Sequence, residues 1–302
     1  MNRRLFLTAM LGTPALAALV AACGDNSVGS PGDTTNGSTP LTFAPGNSAP
    51  GTSDGTTSGA MKYPTGADDV VVRIAYEGGF VAPATLFSRL PTLLISGDGR
   101  AFTPGVQTEQ FPGPLVAPVE QRSIDPLGMQ RVLMAAVDAG LLAPPPDYSL
   151  PGGVNIADAA DTVVVIAANG GTFTHRAYAL DITDVGTTPA RTALATFVAQ
   201  MSDLATAAGA GNIGAEGPYV PSAYRVQAMA TDPSQVTDPS PTVVDWPAGT
   251  GVALATATVC ASVPATAVGS LFAAANQRTF FRDAGVAYAL AVTPVLPGDT
   301  SC

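Results

Sequence analysis

Hydrolytic and metal chemistry usually begins with histidine, and this chain has one, His175. A zinc site or a Ser-His-Asp relay needs an imidazole with positioned partners. His175 lies in residues 172–180, a stretch that reads as a strand, and it shares one face with Phe173 and Ala177. That pattern predicts a structural or surface place in a sheet. The chain contains no Cys-x-x-Cys, His-Glu-x-x-His, P-loop or Gly-x-Ser-x-Gly pattern. Gly209-Ala210-Gly211-Asn212-Ile213-Gly214 matches Gly-x-Gly-x-x-Gly, but it follows a helical stretch, whereas the dinucleotide fingerprint follows a strand and opens a helix. It is expected to stop a helix. The pairs Asp158/Asp161 and Asp181/Asp184 lack calcium-loop spacing. A glycosidase-like carboxylate pair is open, because such acids meet only in the fold. Trp246, in Asp245-Trp246-Pro247, reads either as a partner anchor or, more simply, as a core plug beneath a loop. Glu77-Gly78-Gly79-Phe80 ends a strand; its glycines permit a bulge or close backbone approach, and Phe80 is expected to pack. No catalytic set, cofactor site or metal site is assigned.

The cysteines say more. Met1-Asn2-Arg3-Arg4 precedes an apolar run over residues 5–20, ending in Leu19-Val20-Ala21-Ala22-Cys23. The run is shorter than the roughly 20 residues a membrane span needs, and Gly12 and Pro14 interrupt it. Its end resembles the bacterial lipobox: small residues fit a peptidase pocket, and the Cys23 sulfur carries diacylglycerol. Residues 1–22 therefore read as a lipoprotein signal peptide. Two acyl chains, at about 0.8 kcal/mol per buried methylene, suffice for stable anchoring. The expected location is the outer face of the cell membrane. Arg3-Arg4-Leu5-Phe6-Leu7 also resembles the twin-arginine motif, with Asn2 where Ser or Thr is usual. Either export route fits. Outside the cytoplasm disulfides persist, and the other two cysteines, Cys260 and Cys302, allow one intramolecular bridge. A buried free Cys260 and an intermolecular Cys302 are the alternatives.

Composition narrows the partners. The formal charge is −10, and cleavage before Cys23 removes Arg3 and Arg4, leaving 11 basic against 23 acidic residues, or −12. Such a surface repels phosphate backbones and anionic headgroups, so nucleic acid is excluded as a partner and the membrane is reached through the lipid. Residues 23–68 are mostly Gly, Ser, Thr, Pro, Asn and Asp, with Val28, Leu41 and Phe43 isolated. They cannot bury enough surface to offset their ordering entropy and read as a disordered, lipid-anchored linker. A Gly-rich tether of this length spans on the order of 35–40 Å.

Residues 69–302 must supply the fold. Strands are expected over residues 70–76 and 92–96. Gly97-Asp98-Gly99 turns the latter into residues 100–106. Asp125 or Ser123 caps a helix with Pro126 in its first turn; Leu127, Val132, Leu133, Ala136 and Val137 form its apolar face. Asn169-Gly170-Gly171 joins strands 162–168 and 172–180, and Thr188-Pro189 opens a helix reaching about residue 207. Strands near residues 223–230 and 252–260, a helix over 265–275 and a hairpin turning at Asp283-Ala284-Gly285 complete the reading. Hairpins joined to helices predict an α+β fold with mainly antiparallel sheet and about three helices. The order strand, strand, helix, hairpin recurs. Topology alone therefore suggests two similar halves, 69–185 and 186–302.

From residue 70 onward the pattern resembles a group of uncharacterised actinobacterial lipoproteins. The shared pieces are Arg73-Ile74-Ala75-Tyr76-Glu77-Gly78-Gly79-Phe80, Leu90-Pro91, Gly97-Asp98-Gly99-Arg100, Asp245-Trp246-Pro247 and the ending Pro294-Val295-Leu296-Pro297 through Cys302. That family implies no activity or site. Residues 70–180 are also similar in arrangement to emfourin-type protease inhibitors, which implies inhibition as one function. The absence of a nucleophile–base set favours a non-catalytic, envelope-associated protein that binds an envelope protein or a small ligand. A hydrolytic enzyme acting on cell-envelope material is the alternative, and a protease inhibitor is another.

Overall fold

A computed structural model describes residues 59–182, 186–237, 240–300 and 302. The signal peptide, Cys23, the linker up to residue 58 and Asp184 lie outside the described residues. Among the described residues no helix is long and apolar enough to cross a membrane.

The fold is α+β, with mainly antiparallel sheets and, among the described residues, five α-helices. Seven strands form the first sheet: β1 (Val70–Gly78), β2 (Leu93–Ser96), β3 (Arg100–Pro104), β4 (Val119–Ser123), β5 (Ala160–Ala168), β6 (Gly171–Tyr178) and β7 (Gly217–Pro218). Their spatial order is β6-β5-β1-β2-β3-β4-β7, with every pair antiparallel. The second sheet holds β8 (Ala223–Ala230), β9 (Thr242–Asp245), β10 (Ala261–Pro264), β11 (Thr279–Asp283) and β12 (Val286–Pro294), ordered β10-β8-β12-β11-β9. Its β9–β11 pair is parallel. The helices are α1 (Pro83–Ser88), α2 (Pro126–Asp138), α3 (Pro189–Met201), α4 (Leu204–Ala208) and α5 (Ala265–Ala274).

Local chemistry explains most of these boundaries. The β5–β6 hairpin turns through Asn169 and Gly170 at φ 53° and 79°, the left-handed pair that a two-residue hairpin demands. Asp125 caps α2 by accepting from the Gly128 N–H at 2.7 Å, and Pro126 fills the first helical position, where its missing N–H costs nothing. A register shift in β1 between Val70 and Val72 lets Val71 and Val72 both enter the core.

The first core lies between one face of the seven-stranded sheet and α2, α3 and α4. Ile74, Leu93, Ile95, Val164 and Ile166 meet Met129, Leu133, Leu194, Phe197 and Leu204. On α2 the buried stripe is Met129, Val132, Leu133 and Ala136. Leu127, expected on that face, is 58% exposed, and Val137 also faces solvent. At 100° per residue Leu127 points away from the stripe's centre, so hydrophobicity misleads there and spacing does not. Two residues of the expected linker also enter this core. Met61 and Tyr63 pack against it, and Met61 exchanges backbone hydrogen bonds with the Gln130 amide at 2.8 and 2.9 Å. The docked chain thus begins before residue 68.

The second core is separate. Trp246, Phe272 and Phe281 meet with centroids 5.9–6.2 Å apart, under α5 and the second sheet. Trp246 is therefore a core plug, its indole N–H donating to the Val252 carbonyl at 2.8 Å. Residues 252–260 are not the expected strand. A single 3-10 turn, Leu254–Thr256, occupies them because the Asp283 carboxylate accepts the Leu254 N–H at 2.7 Å and Leu254 is wholly buried. The suggested halves also fail. α3 and α4 belong to the first core, so the boundary falls after β7, and the two sheets differ in strand number and order.

The segment beyond β12 helps close the seam between the sheets. Beyond β12, Leu296 buries itself among Leu94, Phe102 and Val119 on the face of the first sheet opposite the helices. Tyr219 stands edge-on to Phe102 at 5.0 Å, and its hydroxyl donates to the Val295 carbonyl at 2.9 Å. Gly298 has φ 76°, and a Cβ there would sit 2.3 Å from a Val70 methyl, so glycine is required by both conformation and space. Cys302 is then bonded to Cys260 with Cα atoms 5.3 Å apart, within the usual disulfide span. Closing a loop of 42 residues in the unfolded chain removes entropy equivalent to about 4 kcal/mol, an upper figure in the chain-entropy model. Replacing Cys302 by Ser should lower unfolding stability by up to about 4 kcal/mol in denaturant titrations. Dithiothreitol should reproduce that loss in the parent and leave the variant unchanged. An equal effect of reductant on both would contradict this account.

Candidate ligand-binding cleft

The only histidine is buried completely in β6. Its Nε2 lies 3.0 Å from the Leu141 carbonyl and its Nδ1 2.8 Å from the Tyr148 hydroxyl. A carbonyl only accepts, so Nε2 carries the proton and Nδ1 accepts from tyrosine. Burial pushes His175 below its usual range, against a smaller upward pull from the Leu141 carbonyl. The imidazole is neutral and holds the proline-rich strap over residues 141–150.

A second buried polar side chain grips the same strap. Arg191, in the first turn of α3, is 2% exposed. Its guanidinium donates to the carbonyls of Tyr148 at 2.8 Å, Tyr178 at 3.0 Å and Ala179 at 2.8 Å. None of the ion pairs among the described residues includes it. Ala179 is held at φ 49°, a left-handed conformation that costs an ordinary residue on the order of 1 kcal/mol. The arginine thus ties a strained bend after β6, the strap and α3 together. Sequence reasoning missed it because Arg191 occupies a position in an apolar helical stripe, where a charged residue gives no sign of pointing inward.

This anchoring sets where α3 ends. The sequence predicts one helix to about residue 207, but the chain breaks after Met201. Asp203 recaps it as α4, accepting from the Thr206 N–H at 3.1 Å and the Thr206 hydroxyl at 2.7 Å. Gly209 ends α4 at φ 85°, so the Gly-x-Gly-x-x-Gly match is a helix stop. Between the break and the sheet lies a cleft of about 640 Å³. Ile74 and Tyr76 of β1 and Leu93 of β2 wall the sheet side, while Val198, Met201 and Leu204 wall the helix side. Thr103 and Pro104 of β3 extend it toward Arg122 of β4. Arg122 forms an ion pair with Glu216, just before β7. Asp203 stands at the helix break.

Two of the cleft's hydroxyls serve the backbone. Ser202 Oγ donates to the Ala199 carbonyl at 2.6 Å and Thr92 Oγ1 to the Ile74 carbonyl at 3.1 Å. His175 does not line it. Among the described residues no group of three His, Cys, Asp or Glu side chains converges. Asp161, singled out in the sequence, lies elsewhere. It joins Arg176, Glu77 and Arg73 in an ion-pair network across β5, β6 and β1. Partial burial raises the Glu77 pKa, but hydrogen bonds and charge from Arg176 and Arg73 outweigh it and leave the carboxyl below its usual value. Asp158 sits at φ 68° and Asp181 is exposed, while Asp184 lies outside the described residues. Phe80 does not pack and is 85% exposed. The cleft residues come from four strands and a helix break. Among them, only the aspartate cap near residue 203 leaves a local mark in the sequence.

The His175 geometry has a pH consequence. In the unfolded chain the ring takes a proton near its ordinary value of 6.5, whereas the folded ring resists it. The unfolded state then binds more protons below that value, and stability falls as pH drops. Stability should be flat above pH ~7 and decline below it, by at most about 1.4 kcal/mol per pH unit from this one group. His175→Gln should be less stable throughout but lose that part of the slope. A parent curve flat from pH 7.5 to 5 would contradict the neutral, buried imidazole.

Comparison with known proteins finds no match: no family model, no curated protein and no solved structure is similar to the chain.

Proposed function

We propose that this chain is a non-catalytic binding protein, held on the outer face of the cell membrane through a lipid on Cys23, and that its cleft takes a small, largely apolar ligand. One observation carries the binding reading. An opening of about 640 Å³, within the size range of small-molecule sites, is walled by apolar side chains on both sides. Asp203, Arg122, Glu216, Ser202 and Thr92 at its rim are engaged in a helix cap, an ion pair and backbone bonds rather than in a nucleophile–base pair. The anchoring reading is supported by the order of charged start, short apolar run, small residues and cysteine at positions 1–23. A tether of Gly, Ser, Thr and Pro would then hold the domain clear of the bilayer. The acidic balance fits a protein that meets the membrane through lipid and not through surface charge.

Two experiments test the two halves of this reading. Globomycin should leave an uncleaved precursor, and Cys23→Ser should release the protein or block its maturation; undiminished membrane association in that variant would remove the anchor. A neutral apolar fluorophore such as N-phenyl-1-naphthylamine should bind saturably at one site. Ala205→Trp, which fills the cleft from α4, should weaken it at least tenfold. Turnover of an envelope glycan or ester that disappears in Ala205→Trp would overturn the non-catalytic assignment.

A further inference from the structure

The charges around the cleft narrow what it takes. Resting on the cleft as a ligand site, we propose that its ligand is a small organic cation, a primary ammonium group carried on an apolar body. Three charged side chains line the cleft. Arg122 and Glu216 face each other and cancel. Asp203 is different. Its carboxylate accepts from neutral donors, the N–H and hydroxyl of Thr206 and the Ala205 N–H, and no Lys or Arg pairs with it among the described residues. The cleft therefore carries one uncompensated negative charge, in a chain whose formal charge is −10.

A second feature acts in the same direction. α3 runs 13 residues and ends at this corner, so the negative end of its dipole faces the place where Asp203 stands. α4, of five residues, opposes it only weakly. An entering anion would meet Asp203 and the helix end, and at Arg122 would compete with Glu216. An ammonium group meets a carboxylate already oriented by its cap. Asp203 is exposed, so the charged head stays at the water-facing rim while its body lies against Ile74, Leu93 and Met201. That arrangement avoids the cost of burying an ammonium ion.

The test uses the full chain carrying Cys23→Ser, purified without detergent, and three probes sharing one tail: n-octylammonium, n-octanol and n-octanoate. At pH 7 the ammonium should bind at least tenfold tighter than the carboxylate, with the alcohol between them. Asp203→Asn keeps a good helix cap and removes the charge. It should cut the preference for ammonium over alcohol at least fivefold and leave octanol affinity unchanged. Equal binding of all three probes, tighter octanoate, or an undiminished preference in Asp203→Asn would overturn the cation assignment and leave the cleft a ligand site. Failure of all three to saturate up to millimolar concentration would remove the cleft reading as well.

Discussion

A buried guanidinium, Arg191, with no carboxylate partner among the described residues constrains the elements around it most tightly. Arginine cannot shed its proton in a protein, and an ion taken from water without compensation is costly. Here the compensation is three backbone carbonyls from two segments, the strap at Tyr148 and the bend at Tyr178–Ala179. Each carbonyl would itself be an orphan acceptor if the arginine were absent. The energetic meaning is asymmetric. The intact arrangement contributes little beyond an apolar residue of equal volume, while removing one member leaves buried groups unmatched. Such an interaction selects one arrangement of α3, strap and sheet rather than adding much to total stability. Since α3's start is pinned by Arg191, its end at Met201 and the break beyond it are placed over β1 and β2, and the cleft follows from that placement.

How much of this was legible depended on whether the cause was local. Asn169-Gly170, Asp125-Pro126, Thr188-Pro189 and Ala284-Gly285 each act within a few residues, and the elements they bound lie where the sequence puts them. α1, β4, β7 and β9 carry no such signal. β4 reads Val-Glu-Gln-Arg-Ser, and only its register against β3 makes it a strand. Residues 252–260 carry alternating apolar side chains, yet the Asp283 carboxylate captures Leu254 and curls the chain instead. The site suffered most. Arg122 and Glu216 are 94 positions apart and become a pair only because β7 adds to β4. The disulfide was legible because, with Cys23 set aside, two thiols leave few arrangements, and the bridge is present.

The two sheets have unlike topologies and separate cores, and the segment beyond β12 joins them, together with Leu115 and Val116, which pack against the second core, and the Leu115 N–H, which donates to the Ala275 carbonyl. Leu296 supplies apolar surface to a cluster that otherwise belongs wholly to the first sheet, although it follows directly from the central region of the second. Tyr219 provides the reciprocal contact from the connection between them. The outer face of β1, β5 and β6 needs no such cover. There the stems of Arg73, Arg176 and Glu77 lie over Ala75 and Val163 while their charges reach water. The same sheet is thus sealed by three devices: helices on one face, an inserted leucine in the middle of the other, and an ion-pair network at its β6 side.

The noncovalent contacts at the seam can be weighed against the bridge beside them. Burying one leucine contributes about 1.5–3 kcal/mol, somewhat less than the bridge in the entropic model. The Tyr219–Val295 hydrogen bond adds roughly 1 kcal/mol. The seam's noncovalent contacts are therefore comparable to the disulfide, and both keep the segment beyond β12 from peeling away.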